Sequence, residues 1–176
     1  MAPSDRSVYD KTFKILICGS KGSGKDCLCK SFSTDGDDQG IWTDVVVEGE
    51  RLLVEAETSR TFKPEFVDKY DAVAVVFSTT ERLSYEHALE ILNELRISRP
   101  IVSVVIENKI DNVEASELDK DTVEREMKSR HKRMYRVSAT QELNVMHPFA
   151  YILERLTRYR HDENANRKSS TATDSM

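Results

Sequence analysis

Hydrophobic and polar positions along this chain change period several times, and each change marks an element. Phe13-Lys14-Ile15-Leu16-Ile17-Cys18 is an apolar run of strand length stopped by Gly19. A Gly/Ser/Lys loop follows, and then Leu28 and Phe32 begin a short helical stripe. Residues 34–40, with three aspartates and two glycines, read as a loop. Residues 42–47 and 52–57 predict strands joined at Glu48-Gly49-Glu50, a hairpin with glycine at the awkward backbone position. Residues 71–77 and 101–106 are continuous apolar runs, the pattern of buried parallel strands. Between them Tyr85, Ala88, Leu89, Leu92 and Leu95 keep helical spacing, and Pro100 separates that helix from the next strand. A charged helix over about 119–132 leads to a short strand, Met134-Tyr135-Arg136-Val137. The last element carries Phe149, Ile152, Leu153, Leu156 and Tyr159 on one stripe. Six apolar strands alternating with helices predict an α/β fold, a doubly wound, mostly parallel six-stranded sheet with helices on both faces.

The 176 residues suit one domain, and no internal repeat is visible. The expected organisation is a flexible N-terminus over 1–11, a domain over 12–164, and a disordered Ser/Thr-rich tail over 165–176. A formal net charge of −5 argues against a nucleic-acid partner. No run approaches the roughly 20 apolar residues of a membrane span. The N-terminus lacks the apolar stretch of a signal peptide, and Ala2 stands where myristoylation needs glycine. Three cysteines at 18, 27 and 29 make no disulfide framework and no Cys-x-x-Cys, so they are expected in the core of a reduced, cytoplasmic protein. His87, His131, His147 and His161 are scattered, with no special role expected.

Ligands of doubly wound sheets bind at the carboxyl ends of the strands, so the loops there carry the chemistry. After the first strand stands Gly19-Ser20-Lys21-Gly22-Ser23-Gly24-Lys25-Asp26, followed by Cys27. It matches the phosphate-loop template G-x-x-x-x-G-K-[S/T] everywhere except the last position. Glycines there let consecutive backbone N–H groups turn around phosphate oxygens, and Lys25 is placed to reach the β-phosphate. The template's last residue offers Mg²⁺ a hydroxyl; Asp26 offers a carboxylate, a hard ligand that also brings charge against the phosphates. Asp26 is thus the one metal candidate, although as a first-turn acid it also serves its helix. Lys21 is expected to pair with Asp26 and partly fill the metal space.

After the 101–106 strand comes Glu107-Asn108-Lys109-Ile110-Asp111, and after the 134–137 strand comes Ser138-Ala139-Thr140. Asn-Lys-x-Asp after a strand is the guanine-reading signature of small G proteins, and Ser-Ala-Thr resembles their Ser-Ala-Lys loop. With the phosphate loop, these matches make residues 12–160 resemble a Ras-superfamily small GTPase. The resemblance implies a Ras-like P-loop G domain in which Asp111 accepts from guanine's N1/N2 edge and Lys109 covers the base. Asn108 would brace the loops, and the Ala139 N–H would meet the guanine oxygen. Thr140 departs from the family's lysine. Within the superfamily, Val46-Val47-Glu48-Gly49-Glu50, Ser84-Tyr85-Glu86-His87-Ala88 and the exit Arg158-Tyr159-Arg160-His161-Asp162-Glu163-Asn164-Ala165-Asn166-Arg167 resemble the Rad/Gem/Kir (RGK) group, which implies membrane signalling or calcium-channel regulation.

The family's Asp-x-x-Gly-Gln at the end of the third strand is missing: the chain reads Val54-Glu55-Ala56-Glu57-Thr58-Ser59-Arg60-Thr61, and no glycine follows Gly49. The literal match Asp37-Asp38-Gln39-Gly40 lies before the hairpin and reads as loop composition. The first switch segment is also short, with Thr34 and Thr43 its only threonines. Groups for the base and the α/β-phosphates persist, whereas those for Mg²⁺, γ-phosphate and the attacking water are missing together. The expected protein is a pseudoGTPase-like regulator without catalytic residues. It would bind GDP or GTP weakly or independently of Mg²⁺ and act through regulatory protein partners. Two other readings stay open: a nucleotide-free interaction scaffold, and an atypical GTPase using Asp26 for Mg²⁺ and a partner for catalysis. No cysteine follows Cys29, so no C-terminal lipid anchor is expected. Arg155, Arg158, Arg160 and His161 make either a solvated basic face or a surface for acidic lipids at the plasma membrane or for a partner such as calmodulin. Arg167-Lys168-Ser169-Ser170 has the form of a basophilic kinase site.

Overall fold

The computed structural model describes residues 6–32, 35–37 and 40–171. The strands are β1 (Lys11–Cys18), β2 (Asp35–Asp37), β3 (Gly40–Val47), β4 (Glu50–Ser59), β5 (Ala72–Ser78), β6 (Val102–Asn108) and β7 (Met134–Arg136). The helices are α1 (Lys25–Phe32), α2 (Arg82–Ile97), α3 (Lys120–Ser129) and α4 (Met146–Thr171). The sheet order is β2-β3-β4-β1-β5-β6-β7. Strands β4, β1, β5, β6 and β7 run parallel, while β2 and β3 form an antiparallel margin. Six of these are the expected strands; β2 is a seventh where a loop was expected. Its aspartates carry no hydrophobic pattern, and its backbone pairs with β3, Asp35 opposite Trp42 and Asp37 opposite Gly40. Asp38 and Gln39, in the middle of the literal Asp-x-x-Gly match, lie outside the described residues, as does Thr34.

Side-chain alternation on the central strands divides the core into two layers. From one face Phe13, Ile15, Ile17, Ala74, Val76 and Ile106 pack against α1 and α4. From the other, Leu16, Cys18, Val73, Val75, Phe77 and Val105 pack against α2 and α3. The helical stripes hold: Leu28 and Phe32 of α1, Ala88, Leu92 and Leu95 of α2, and Phe149, Ile152, Leu153 and Leu156 of α4 are all buried. Phe32 stacks on Phe149 with ring centroids 4.1 Å apart, joining the two helices of the first layer. The side chains of Tyr159, Arg160 and His161 lie outside the described residues.

Between β3 and β4, Glu48 and Gly49 both take positive φ, 51° and 87°, the two-residue turn whose twist matches antiparallel strands. The register Val47↔Glu50 starts β4 two residues before the hydrophobic pattern, because a tight turn closes the ladder directly. At the termini, Arg6–Val8 forms a short 3₁₀ turn before β1. The backbone of α4 is helical through Thr171, past Ala165 where the tail was expected, and 172–176 lie outside the described residues. Among the described residues, no helix is long and apolar enough to cross a membrane.

Phe149 is fully buried and carries the α1–α4 stacking contact. Phe149→Ala is expected to lower unfolding stability by about 3–5 kcal/mol in urea denaturation; a loss below about 1 kcal/mol would mean that the layer repacks without it.

Candidate functional site

Because β4 pairs with one side of β1 and β5 with the other, the chain reverses its direction of travel across the sheet at β1, and the loop after β1 opens at that crossing. In the loop, Gly22 and Gly24 take φ of +87° and +85°. Gly24 has no alternative, since a Cβ there would stand 2.1 Å from the Asn108 side-chain nitrogen. The first turn of α1 begins on the Gly24 carbonyl, which accepts from the Leu28 N–H at 3.0 Å. Lys25 is almost wholly buried, and its ammonium reaches back to the Ser20 carbonyl at 3.4 Å. The Ser20 and Ser23 hydroxyls are buried without a hydrogen-bond partner, a cost that a bound phosphate's oxygens would offset.

Asp26 pairs with Lys25, 3.6 Å away, and not with Lys21. The expectation of a Lys21–Asp26 pair is therefore corrected: Lys21 is exposed, and the lysine adjacent in sequence on the helix turn competes better. Thr43, one of the two threonines open for a metal, is buried in β3 opposite Val54 and faces the core. Among the described residues no group of three or more His, Cys, Asp or Glu side chains could hold a metal. Asp26 stands as a single carboxylate engaged by Lys25.

The base-reading loops lie alongside. Asn108 is buried at the end of β6. Its side-chain nitrogen donates to the Ser23 carbonyl at 3.0 Å, and its oxygen accepts from the Ala139 N–H at 3.1 Å. The side chain thus spans the phosphate loop and the Ser-Ala-Thr loop, the bracing role the resemblance implied. In this structure the Ala139 N–H is held by Asn108, so a base oxygen would share or displace that bond. Lys109 sits in the left-handed region at φ 64°, a strained conformation for a lysine. Asp111 is exposed and, among the described residues, makes no ion pair. Ser138 and Thr140 join hydroxyls at 3.2 Å, and Ser138 bridges Leu143 to close the loop. Glu107, fully buried beside Asn108, takes Arg136 in a bidentate pair at 2.9 and 3.3 Å, fixing β7 and its loop to β6.

Several contributors were not read from the sequence. Glu81, just before α2, places a carboxylate oxygen 3.6 Å from where a Cβ on Gly22 would be, so a second acid flanks the phosphate loop. Residues 57–70, after the third long strand, are tied down. Glu57 accepts from the Tyr70 hydroxyl at 2.5 Å and from the Lys69 ammonium at 2.9 Å. Burial alone would raise the Glu57 pKa; the hydrogen bonds from Tyr70 and Lys69 outweigh it and hold the carboxylate below its usual range. His87 Nε2 lies 2.6 Å from the Arg60 carbonyl, and the Ser59 hydroxyl donates to the Thr61 carbonyl at 2.8 Å. Cys18 and Cys29 are core residues as expected, their thiols pushed up to about 12 by burial, but Cys27 is exposed on the outer face of α1.

A loop that can cradle phosphates, facing a braced Asn-Lys-x-Asp loop on a doubly wound sheet, defines a G-domain architecture. Residues 55–158 match the family model Ras: Ras family, more than half of the chain, and the chain belongs to the Ras family. It is 24% identical to Ras-related protein Rab-13 of Rattus norvegicus, over 93% of this chain and 90% of that protein. It is 23% identical to Ras-related protein Rab-15 of Homo sapiens, over 83% and 77%. To Ras-related protein Rab-30 of Homo sapiens it is 26% identical, over 78% and 76%. Guanine-nucleotide binding is the general property of this family. The matched segment holds both base-reading loops and begins after the phosphate loop.

Asn108→Ala leaves the Ser23 carbonyl and the Ala139 N–H without partners. It is expected to cost about 2–4 kcal/mol in urea denaturation, with an unchanged midpoint removing the brace from the account. The depressed Glu57 pKa means that its contribution to stability is complete above the ordinary carboxylate pKa and is lost as pH falls through that value and the lower folded one. Melting of Glu57→Gln against the parent should therefore show a deficit at neutral pH that closes below about pH 4; a deficit independent of pH would assign the effect to packing.

Proposed function

We propose that this Ras-family chain is a signalling regulator that binds guanine nucleotide weakly or without dependence on Mg²⁺, hydrolyses GTP little or not at all, and acts through protein partners. The observation that carries this reading is the state of residues 57–70. A switch needs a segment with two arrangements that γ-phosphate contacts can tell apart. Here Glu57 is engaged by Tyr70 and Lys69, the Arg60 carbonyl by His87, and the Thr61 carbonyl by Ser59, so the segment is bound to its own domain. The family's Asp-x-x-Gly is missing from this segment, and Asp26 is engaged by Lys25. The base loop, by contrast, keeps its brace and an open Asp111 carboxylate.

A nucleotide-free scaffold is the second reading. Two contacts favour it: the Lys25–Asp26 pair and the Ala139–Asn108 hydrogen bond occupy groups that a nucleotide would otherwise engage. The RGK likeness rests on its three sequence stretches, while the relatives reported above are Rab proteins; a role in membrane signalling follows from either kinship as a proposal. Peripheral contact with a membrane fits a chain without a spanning helix among its described residues.

Heating freshly purified protein and analysing the released small molecules, followed by titration with GDP and GTP with and without Mg²⁺, tests both readings. Bound GDP, or affinity for either nucleotide that Mg²⁺ leaves unchanged within about threefold, supports the first. An empty protein that ignores both nucleotides supports the scaffold. Asp26→Ser should raise Mg²⁺-dependent affinity at least about tenfold if the carboxylate is the obstacle to metal and phosphate.

A further inference from the structure

The acidic chain carries 31 acidic and 26 basic residues, and several of its described cations have a carboxylate partner. Lys11 pairs with Glu50, Lys14 with Glu55, Arg51 with Asp44, Arg130 with Glu126, Arg136 with Glu107 and Arg158 with Glu154. Another group shares one groove without such partners. The turn from α3 to β7 places His131, Lys132 and Arg133 on the wall of a groove of about 530 Å³, and Arg155 of α4 reaches the same groove. Lys132, Arg133 and Arg155 make no ion pair among the described residues.

Two of these three cations, Lys132 and Arg133, are held rather than loose. Lys132 is half-buried and donates to the Ser103 hydroxyl at 2.9 Å, and burial lowers its pKa. A desolvated ammonium whose side-chain partner is a hydroxyl lacks the counter-charge that offsets its burial. Arg133 lies over the rings of Tyr135 and Tyr151, its guanidinium carbon 5.5 and 5.7 Å from their centroids. Those aromatic faces orient the guanidinium while leaving its N–H edge free of side-chain acceptors. The one acidic side chain on the lining, Asp71, has a carboxylate oxygen bound to the Lys14 backbone N–H at 2.8 Å.

The groove opens at the amino ends of β5 and β6, whereas the phosphate loop and Asn108 lie at the carboxyl ends. Ser103 and Asn108 are five positions apart on β6, about 17 Å along an extended strand. The two places are therefore distinct. We propose that the groove between the α3–β7 turn, the start of β6 and α4 is a second anion site, which takes a compact ligand bearing more than one phosphate through Lys132, Arg133 and Arg155. Multiple phosphates match three converging cations, where a single carboxylate would leave two of them uncompensated. Such chemistry is found in free inositol phosphates and in phosphoinositide headgroups.

Isothermal titration of the full chain with inositol 1,4,5-trisphosphate, and co-sedimentation with phosphatidylcholine vesicles with and without phosphatidylinositol 4,5-bisphosphate, test the site. Binding of the soluble trisphosphate that falls about tenfold in each of Arg133→Gln and Arg155→Gln supports it. Both side chains are exposed, so neither change threatens folding. Co-sedimentation dependent on the bisphosphate would identify a membrane headgroup as the source, and soluble binding alone a free phosphate ester. Lys25→Met, which disables the phosphate loop, should leave this binding within about twofold. Absence of trisphosphate binding, binding untouched by both arginine changes, binding lost with Lys25→Met, or retention on phosphatidylcholine alone would each overturn the proposal.

Discussion

One buried amide fixes the upper surface of this domain. Asn108 gives its nitrogen to Ser23 and its oxygen to the N–H of Ala139, so three loops that are far apart in sequence are set against each other by a single side chain. Either partner left alone would be a buried, unsatisfied backbone group. Gly24 exists in its conformation partly because Asn108 occupies the space where a side chain would stand. The buried Glu107–Arg136 pair one residue earlier does the same work for β7. The recognition surface of the domain is thus braced from below, independently of what lies on it.

The adjoining segment is built differently, and the proposed loss of switching rests on that contrast. Hydrophobic alternation on β1, β5 and β6 fills both layers of the core and has no tolerance for a register slip. Residues 57–70 add Phe62 and Tyr70 to the second layer and keep their polar groups among themselves and against α2. Their carboxylate, carbonyl and hydroxyl groups meet Tyr70, Lys69, His87 and Ser59; under the proposed function these local contacts stand in for those a γ-phosphate makes in a switching protein.

The strands, the helical stripes and the two recognition loops were legible in the sequence because each rests on hydrophobic period or on glycine and Asn-Lys-x-Asp spacing. Buried Leu28, Phe32, Phe149 and Ile152 fall where helical spacing puts them. What escaped reading depends on side chains meeting across long separations. Strand β2 is held by backbone pairing and has no apolar signature. Lys25 and Lys21 are both near Asp26 in sequence, and only the turn of α1 decides between them. Glu81, Tyr70 and His87 are ordinary surface-type residues in one dimension, and only the return of the chain beside β1 and β4 brings them to the site. Cys27 differs from Cys29 by two residues, yet an eight-residue helix turns one to solvent and the other to the core.

The tethering of residues 57–70 also changes the arithmetic of recognition. A protein that alternates between two shapes binds each partner with an affinity diluted by the fraction of time spent in the competent shape. Under the proposed function, a partner docking beside the tethered segment would meet a single arrangement and lose nothing to that dilution. Occupancy at such a face is then governed by how much of the chain is present and where it is held, which makes synthesis, degradation and local concentration the levers of control.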